Sequence, residues 1–485
     1  MRKINLKNPT LWTDKCLLSG RWVGVSGENT IIVHNPATGD VVGSVPSLEP
    51  EQVEAALIGA QAGFEDWRLR SPDERSSILR RWYDLMLANK EDLATIMTLE
   101  QGKPLAEARA EVDYAASFVA WFSEEARRCH GEVIPAQRQH QQLLAVPEPV
   151  GVSVAITPWN FPAAMITRKA GAALAAGCSM VVKPSGLTPF SALALGVLAQ
   201  QAGVPSGVFS VITGDSSMIG EAVAGSPLVK KLSFTGSTGV GRKLMAQCSA
   251  NLQKLSLELG GNAPFIVFDD ADLQKAVEGA IASKFRNAGQ TCICPNRFLI
   301  QSGVHNKFAD LLSEALNRLK IGDGFAEGVQ LCSLINDNAV AKVRQHFDDA
   351  LQKGGQCVLG ERPGCLADNR VAPVIVTGIS TDMKCWQEET FGPFVAIKTF
   401  DSEAEAIELA NNTAYGLASY FYSTDASRVL RVSKALRAGM VGVNEGAISN
   451  AMAPFGGIGH SGFGREGGRQ GIAEYQAIKY ICHSQ

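Results

Sequence analysis

A regular alternation of short β-branched or aromatic runs with helical segments, beginning at Gly151, constrains the fold more than any other feature of the sequence. The first runs are residues 152–156, 180–182, 208–212 and 231–234, and the helical segments after them begin near Pro162, Pro189, Ser216 and Ser237. Strands that alternate with helices of about 10–15 residues predict βαβ units and a parallel sheet. Ligands of such sheets bind at the carboxyl ends of the strands, so the residues directly after each strand are the first candidates for function.

A second alternation follows Gly260 and predicts a second α/β domain. Its strand candidates are residues 264–268, 297–301, 374–376, 395–399, 419–422 and 440–443. Before Gly151 the pattern predicts a hairpin, then helices, then a polar arm or edge hairpin; the segments are residues 30–33 with 41–44, 50–129, and 137–146. The tail, residues 475–482, is predicted to be extended, with no evident partner strand.

Composition excludes several classes of protein. The 485 residues predict two or three domains, and a net charge of −3 without a basic block argues against nucleic acid or membrane surfaces as partners. The longest apolar run, residues 170–182, is interrupted and too short to span a bilayer, and the N-terminus has no apolar core of a signal peptide. Eleven scattered cysteines fit a reducing cytosol, so we expect a cytoplasmic protein.

Two glycine-rich segments match GxGxxG but fail its context. Residues 457–462 and 462–467 do not join a strand to a helix within a βαβ unit, so we interpret them as a tight structural loop. Cys292-Ile-Cys294 lacks the further ligands of a metal site, and no metal is expected.

Polar residues follow two predicted strands of the first domain. Asn160 follows the run 152–156 and can donate to a developing oxyanion, or form an Asx turn before a helix. Lys183 follows the run 180–182 and can grip a ribose hydroxyl or a phosphate, or remain a solvated lysine. The residues alone leave both pairs of alternatives open.

Three further segments point to covalent chemistry with a nucleotide. Residues 235–241, Thr-Gly-Ser-Thr-Gly-Val-Gly, lead into a helix whose N-terminal N–H groups can bind a pyrophosphate. Glu258 lies between leucines and before two glycines, a setting that can raise its pKa and make it a base. Cys292 lies in a polar turn and can serve as a nucleophile if its thiolate is stabilised, although cysteine is often only a small buried apolar residue.

Together these segments resemble the aldehyde dehydrogenase superfamily over nearly the whole chain. The shared motifs occur in the order typical of that superfamily: PWNFP at 158–162, Lys183-Pro184, FTGSTGVG at 234–241, LELGGN at 257–262, GQTC at 289–292, Glu389-Thr-Phe-Gly-Pro393, and Asn444 with PFGG at 454–457. The resemblance implies two doubly wound α/β domains and a small β oligomerisation arm.

The resemblance also implies how the chain divides and assembles. Residues 1–131 and 151–259 would form the cofactor-binding domain, 260–468 the catalytic domain, and 132–150 with 469–485 the arm. The C-terminal strand of the arm would pair with a neighbouring subunit. The chain is therefore expected to form a homo-oligomer, either a dimer or a tetramer.

The superfamily's chemistry implies a role for each candidate. Cys292 would attack the aldehyde, Asn160 and the Cys292 backbone N–H would hold the oxyanion, and Glu258 would activate water to hydrolyse the thioester. The nicotinamide cofactor would be bound by Trp159, Lys183, Pro184, Ser185, Gly186, Gly236, Ser237, Leu259, Glu389 and Phe391.

Within the superfamily the chain resembles the succinate-semialdehyde dehydrogenases. Arg168, Arg286 and Ser449 would then bind the substrate carboxylate. We expect NAD(P)-dependent oxidation of succinate semialdehyde to succinate; the alternative is glutarate semialdehyde or another ω-carboxy or aliphatic aldehyde. A cofactor-free cysteine acyl-hydrolase and a non-catalytic relative are the alternatives from other classes.

Two finer expectations depend on single positions. Many NAD-selective relatives have a glutamate where this chain has Gly186, and that carboxylate would repel a 2′-phosphate. NADP is therefore expected to be accepted and preferred, with NAD as the second cofactor. Cys294 either resolves an oxidised Cys292 or points into the core, and the sequence leaves these two alternatives open.

Overall fold

The computed structural model describes residues 5–24, 29–364, 366 and 368–484, so the predicted domain ends at residues 1 and 485 lie outside it. Two sheets dominate, each flanked by helices. The strands are β1 Cys16–Leu18, β2 Arg21–Val23, β3 Thr30–His34, β4 Val41–Pro46, β5 Glu132–Ile134, β6 Gln141–Pro149, β7 Val152–Ile156, β8 Ser179–Lys183, β9 Phe209–Val211, β10 Val229–Thr235, β11 Lys254–Glu258, β12 Ala263–Val267, β13 Pro295–Gln301, β14 Gln356–Leu359, β15 Val374–Thr377, β16 Phe394–Phe400, β17 Ala418–Tyr422, β18 Met440–Val443, β19 Gly462–Phe463 and β20 Gln476–Ser484.

The helices follow the predicted alternation. They are α1 Pro50–Trp67, α2 Pro72–Ala88, α3 Lys90–Gln101, α4 Leu105–Glu125, α5 Ala164–Ala176, α6 Pro189–Gln201, α7 Ser216–Gly225, α8 Thr238–Cys248, α9 Leu273–Lys284, α10 His305–Asn317, α11 Asp337–Gln352, α12 Lys384–Gln387, α13 Glu403–Asn411, α14 Ala426–Ala435 and α15 Gly468–Ala473. Within the described residues no helix is long and apolar enough to cross a membrane.

The first sheet has the order β19-β11-β10-β7-β8-β9-β1-β2. Its five central strands, β11 to β9 in that order, are parallel, whereas β19, β1 and β2 join antiparallel. The chain runs from β7 through β8 to β9 and then returns to place β10 on the other side of β7, which makes the β7–β10 boundary a switch point. Ligands of open α/β sheets bind at such a point.

The second sheet has the order β14-β15-β16-β13-β12-β17-β18, with β14 the antiparallel member. Its neighbours from β15 to β18 are paired in parallel. The structure therefore confirms the prediction of two parallel α/β sheets. Strands β11, β14 and the β1–β2 hairpin were missed, since each is short and carries no clear alternation of its own.

Separate apolar cores lie around the two sheets. Helices α5 and α6 cover one face of the first sheet, and α1, α7 and α8 cover the other, through buried residues such as Leu174, Leu195, Leu57, Ile219 and Leu244. A further core surrounds the second sheet. Because strand β19 at residues 462–463 joins the first sheet, the chain crosses back between the sheets, and the predicted domain limits stay a prediction.

The arm joins the two segments that the resemblance assigns to it. Strand β20 pairs antiparallel along all nine of its residues with β6 of the same chain, in the sheet β20-β6-β5, and the predicted pairing with a neighbouring subunit stays a prediction. About 330 residues separate the facing partners Lys479 and Glu148, whose side chains form an ion pair. The outer edge of β20 remains without a strand partner in the described chain.

Candidate active site

Cys292 lies where two cavities meet. It follows the 3-10 turn Arg286–Gly289 and precedes β13, and it lines both a cavity of about 390 Å³ and a much smaller pocket. Met165 of α5 also borders both. A group at Cys292 can therefore be approached from two sides, and we call the two spaces the large cavity and the substrate pocket.

The large cavity is built mainly from strand ends of the first sheet. Residues that follow β7, β10 and β11 line it, and helix α11 and the segment 389–391 close it from the second domain. Of the predicted cofactor-binding residues, it brings together Trp159, Gly236, Ser237, Leu259, Glu389 and Phe391.

The N-terminus of α8 points into this cavity from the switch point. Ser237 caps the helix by accepting from the Val240 N–H at 3.4 Å, and the Gly236 N–H donates to the Glu258 carbonyl at 3.0 Å. A side chain at Gly236 would collide with the Phe234 ring, whose nearest carbon would be 2.5 Å away. Glycine is thus required here for the close packing of the turn, and the first N–H groups of the helix stay available to an anion.

The predicted group Lys183 to Gly186 lies one strand further along. Lys183 ends β8, the other three residues follow it, and none of the four lines either space around Cys292. The Lys183 ammonium donates to the Ser216 hydroxyl at 2.6 Å, and burial lowers the pKa of Lys183 to about 8. At Gly186 an added Cβ would meet only Ile31 methyl carbons at 3.5 and 3.7 Å, so a side chain fits there.

The thiol of Cys292 is neutral in this environment. Burial raises the pKa of Cys292 to about 12; the charge of Arg168 acts against this shift, and Glu389 and Glu258 add to it. Cys294 is buried and forms no disulfide, and its thiol donates to the Lys284 carbonyl at 3.6 Å. Whether Cys294 resolves an oxidised Cys292 stays a prediction.

Asn160 is fixed so that one amide hydrogen remains available. Its Nδ2 donates to the Gln290 carbonyl at 2.9 Å, while its backbone carbonyl accepts from Lys103 Nζ at 2.8 Å and from Asn287 Nδ2 at 3.0 Å. A primary amide carries two hydrogens, so the second can serve an oxyanion on the substrate. Of the two alternatives for Asn160, these contacts favour the donor role.

A buried ion pair underlies this arrangement. The Lys103 ammonium and the Glu111 carboxylate are 2.5 Å apart, and each side chain is 1% exposed. Glu111 also accepts from the N–H groups of Ala163 and Ala164 at 3.0 and 3.2 Å, at the start of α5. The pair therefore holds both the Asn160 loop and the helix that carries Arg168.

Glu258 ends β11 and is buried. Neither carboxylate oxygen has a hydrogen-bond partner among the described residues. Burial raises the pKa of Glu258 well above its usual range; the charge of Glu466 adds to this, and Arg168 and Lys169 oppose it. A carboxyl group that is buried without donors has the properties of a base with a raised pKa.

The substrate pocket brings together the three residues predicted to bind a carboxylate. Arg168, Arg286 and Ser449 line it with Cys292, although they come from α5, the 3-10 turn and the loop after β18. The two arginines differ in their partners. Arg168 is 1% exposed, is ion-paired with Glu466 and lies over the Phe455 ring at 4.3 Å.

Arg286 makes no ion pair in the part of the chain that the structure describes, although its charge opposes the rise that burial causes in the pKa of nearby Glu107. Its guanidinium lies over the rings of Phe161 and Tyr114, at 4.6 and 5.6 Å from their centroids. Its positive charge is therefore free to pair with a substrate carboxylate, whereas that of Arg168 is already shared with Glu466.

Several site residues were missed by the sequence analysis. Glu466 is ion-paired with both Arg168 and Lys169, and it lies within the 462–467 glycine segment that was interpreted as purely structural. That segment is a tight turn, with positive φ at Gly462, Gly464 and Gly467, but it also delivers this carboxylate. Tyr114, Lys103 and Glu111 belong to the helical region that carries no motif. The described residues contain no cluster suited to a metal ion.

Comparisons with known proteins agree with this geometry. Residues 22–481 match the model of the aldehyde dehydrogenase family. The chain is 53% identical to succinate-semialdehyde dehydrogenase [NADP(+)] of Escherichia coli strain K12, with 99% of each chain covered, and 52% identical to glutarate-semialdehyde dehydrogenase of Pseudomonas putida, with 99% and 100% covered. The crystal structure of succinate-semialdehyde dehydrogenase from Burkholderia pseudomallei superposes with a TM-score of 0.98 at 52% identity, covering 99% of this chain and all of the other.

Proposed function

The chain belongs to the aldehyde dehydrogenase family, and from this premise we propose that it oxidises succinate semialdehyde to succinate with NADP, and less efficiently with NAD. The observation that carries the proposal is the substrate pocket, where two guanidinium groups and the Ser449 hydroxyl lie beside Cys292. A guanidinium binds a carboxylate through two parallel N–H bonds, so the pocket suits an aldehyde with a carboxylate at its far end.

The first step is the attack of Cys292 on the aldehyde carbon. The oxyanion that forms would accept from the free amide hydrogen of Asn160 and from the Cys292 backbone N–H. The Lys103 and Asn287 contacts to the Asn160 carbonyl keep this donor in place before the substrate arrives. Because the thiol has a pKa of about 12, its proton must leave during or before the attack.

The large cavity fits a nicotinamide dinucleotide. Its volume of about 390 Å³ lies within the range of cofactor sites, roughly 300–1,000 Å³, and the α8 N-terminus supplies N–H donors for the pyrophosphate. Trp159, Gly236, Ser237, Leu259, Glu389 and Phe391 would hold it near Cys292, and Lys183, Pro184, Ser185 and Gly186 its adenosine end. When bound, the nicotinamide ring would accept a hydride, and loss of that hydride from the thiohemiacetal carbon gives the thioester.

Glu258 would complete the reaction by activating water against the thioester. Its oxygens are free of donors, and its raised pKa makes it a stronger proton acceptor than an ordinary carboxylate once it is ionised. Water attack releases succinate and returns Cys292 to its thiol form.

NADP preference rests on the segment after β8. Gly186 occupies the position at which many NAD-selective relatives have a glutamate, so no carboxylate is present there. Lys183 and Ser185 lie close to this position in the chain. A 2′-phosphate would meet a cation and a hydroxyl there instead of a repelling charge.

Glutarate semialdehyde is the second candidate, since a relative that acts on it is nearly as similar as the relative named for succinate semialdehyde. A kinetic panel of succinate semialdehyde, glutarate semialdehyde and butanal, each with NADP and NAD, tests both candidates. The proposal predicts the highest kcat/KM with succinate semialdehyde and NADP. Equal or better turnover of butanal would refute a carboxylate-binding function.

We further propose a cytoplasmic homo-oligomer, a dimer or a tetramer, that assembles through the arm. The arm sheet exposes Ile478 and Tyr480 on β20, whose outer edge is free, and Val133 on β5 at the opposite edge, at 68%, 62% and 72% of their surface. The described cysteines are all free, which suits a reducing compartment. Sedimentation of the full chain before and after Ile478→Asp tests the assembly; an unchanged mass would contradict the arm as its interface.

A further inference from the structure

Tyr114 of α4 lies against every residue proposed to bind the substrate carboxylate. It lines the substrate pocket, and its ring packs under the Arg286 guanidinium at 5.6 Å. An edge-to-face contact with Phe118 at 4.9 Å fixes the ring on the helix. The residue is therefore held rigidly at the wall of the pocket.

The hydroxyl of Tyr114 faces the other two carboxylate-binding residues. Burial raises the pKa of Tyr114; the charges of Arg168 and Arg286 and hydrogen bonding with Ser449 and Arg168 act against that shift. The phenol thus stays protonated near neutral pH and lies among two cations and a hydroxyl. Since an arginine can only donate, a bond between Arg168 and the phenol would use the phenol oxygen, which leaves the phenol hydrogen for Ser449 or for a substrate.

A substrate carboxylate in this pocket would have room for the phenol hydrogen. Arg168 shares Glu466 with Lys169, whereas Arg286 makes no ion pair among the described residues, so a substrate carboxylate would pair first with Arg286 and need further donors for its remaining lone pairs. An ionised carboxylate offers about four acceptor positions. Among the side chains that line the pocket, Tyr114, Thr291 and Ser449 carry hydroxyl groups, and of these Tyr114 packs against Arg286.

We propose that Tyr114 is a specificity-determining residue, whose hydroxyl donates to the distal carboxylate of the substrate and whose ring holds Arg286 in place. This inference rests on the proposed function, because it assumes a substrate with a distal carboxylate. An uncharged aldehyde of the same length makes neither contact, so the contribution of Tyr114 discriminates between the two substrates.

Two variants separate the roles of the hydroxyl and the ring. Tyr114→Phe removes one oxygen and keeps the ring under Arg286, whereas Tyr114→Leu removes both. Tyr422→Phe is the matched control, because Tyr422 is a buried tyrosine of β17 that lines neither cavity. Each variant is assayed with succinate semialdehyde and with butanal at saturating NADP, and cofactor binding is followed by titration.

Tyr114→Phe should lower kcat/KM for succinate semialdehyde by about tenfold or more, the loss of one hydrogen bond to a charged group. The loss should appear mainly in KM, because the carboxylate is remote from the reacting carbon. Tyr114→Leu should lose more, since Arg286 is then free to move. Butanal turnover and NADP affinity should stay unchanged, as should all parameters of Tyr422→Phe.

Equal losses of Tyr114→Phe on both aldehydes, or no loss on either, would overturn the role of Tyr114. The proposed function would still stand in that case if the wild-type enzyme prefers succinate semialdehyde to butanal. If the wild-type enzyme itself shows no preference for succinate semialdehyde over butanal, the proposed function fails and the inference about Tyr114 fails with it. A Tyr114→Phe variant that loses NADP affinity would also overturn the inference, since Tyr114 lies outside the large cavity.

Discussion

The large cavity and the substrate pocket meet at Cys292 but are built in different ways. The large cavity is lined by segments that follow neighbouring strands of one sheet, and backbone N–H groups and glycines largely determine its shape and its anion-binding capacity. The substrate pocket is lined by side chains from α4, α5, the 3-10 turn, the segment around Cys292 and the loop between β18 and β19, and its properties depend on ion pairs and aromatic rings. The first depends on topology, the second on individual side chains.

This difference predicts how each region responds to substitution. A space formed by backbone tolerates changes of side chain as long as the turn conformation is kept. A pocket whose groups share partners does not, because removal of one charge leaves its buried partner unpaired. Replacements on the two sides of Cys292 should therefore differ in size and in selectivity.

The largest effect is expected at Cys292 itself, since both spaces serve it. Cys292→Ala should lower aldehyde oxidation about a thousandfold or more, because no other group can form the covalent intermediate. NADP binding should persist, because the α8 N-terminus and the segment 389–391 are unchanged. Stopped-flow assays and cofactor titration measure both, with Cys294→Ala as the control that should stay active. An inactive Cys294→Ala beside an active Cys292→Ala would mean that the nucleophile is misassigned.

Glu258→Gln should give the next largest effect and should affect one step. Loss of the base should slow thioester hydrolysis about a hundredfold or more, while attack by Cys292 continues. The expected record is a rapid burst of reduced cofactor, close to one equivalent per site, followed by slow turnover. A variant that loses the burst as well would show that Glu258 acts before the thioester forms.

The sequence predicted the residues that carry motifs better than the residues that support them, and the reason is physical. Strand ends and glycine turns occupy fixed positions relative to the alternation of strands and helices, so Asn160 and Gly236 are found where that alternation puts them. Tyr114 lies within a regular amphipathic helix, in which an aromatic residue is usually core. Glu466 was concealed in a glycine segment, and its pairing with Arg168 spans almost 300 residues of chain.

The two arginines test the pocket directly. Arg286→Met should lower kcat/KM for succinate semialdehyde about ten- to a hundredfold and spare butanal, because Arg286 forms no ion pair within the described chain that its removal would break. Arg168→Met should impair both aldehydes, since it leaves Glu466 without one of its two cations and alters the field at Glu258.

Steady-state kinetics on both substrates separate these cases, with Arg109→Met as the control, because Arg109 forms an exposed ion pair with Glu91 and lines neither space around Cys292. If Arg168→Met loses activity with succinate semialdehyde only, then Arg168 binds the substrate carboxylate despite its ion pair with Glu466. Equal losses in Arg286→Met would make that arginine structural and remove the basis of the carboxylate assignment.

Thiol reactivity of the enzyme without cofactor should depend steeply on pH. Because the raised pKa of about 12 keeps Cys292 in its thiol form, the thiolate fraction grows about tenfold for each pH unit from around pH 7 upward. Alkylation by iodoacetamide, followed by peptide mass analysis, should show this slope at Cys292, with the exposed Cys482 as an internal monitor of the reagent. A rate that is constant over this range would mean that the thiolate is already formed at neutral pH.

The smallest effect is expected on the cofactor side, at Gly186. Its φ is not in the left-handed region and its Cβ position is open except for Ile31 methyl carbons at 3.5 and 3.7 Å, so Gly186→Glu should fold without strain. The new carboxylate would accept from the ribose hydroxyls of NAD and repel a 2′-phosphate, an interaction of about 1 kcal/mol between exposed charges and thus a change of several-fold to about tenfold in cofactor preference. The ratio of kcat/KM for NADP to that for NAD measures this cofactor preference, with Gly186→Gln as the uncharged match.

Because this segment lies away from the substrate pocket, the preference for succinate semialdehyde over butanal should not change in either variant. A shift in aldehyde preference would mean that the two spaces are coupled through more than Cys292 and Met165, whereas an unchanged cofactor ratio would mean that the adenosine end binds elsewhere than beside β8.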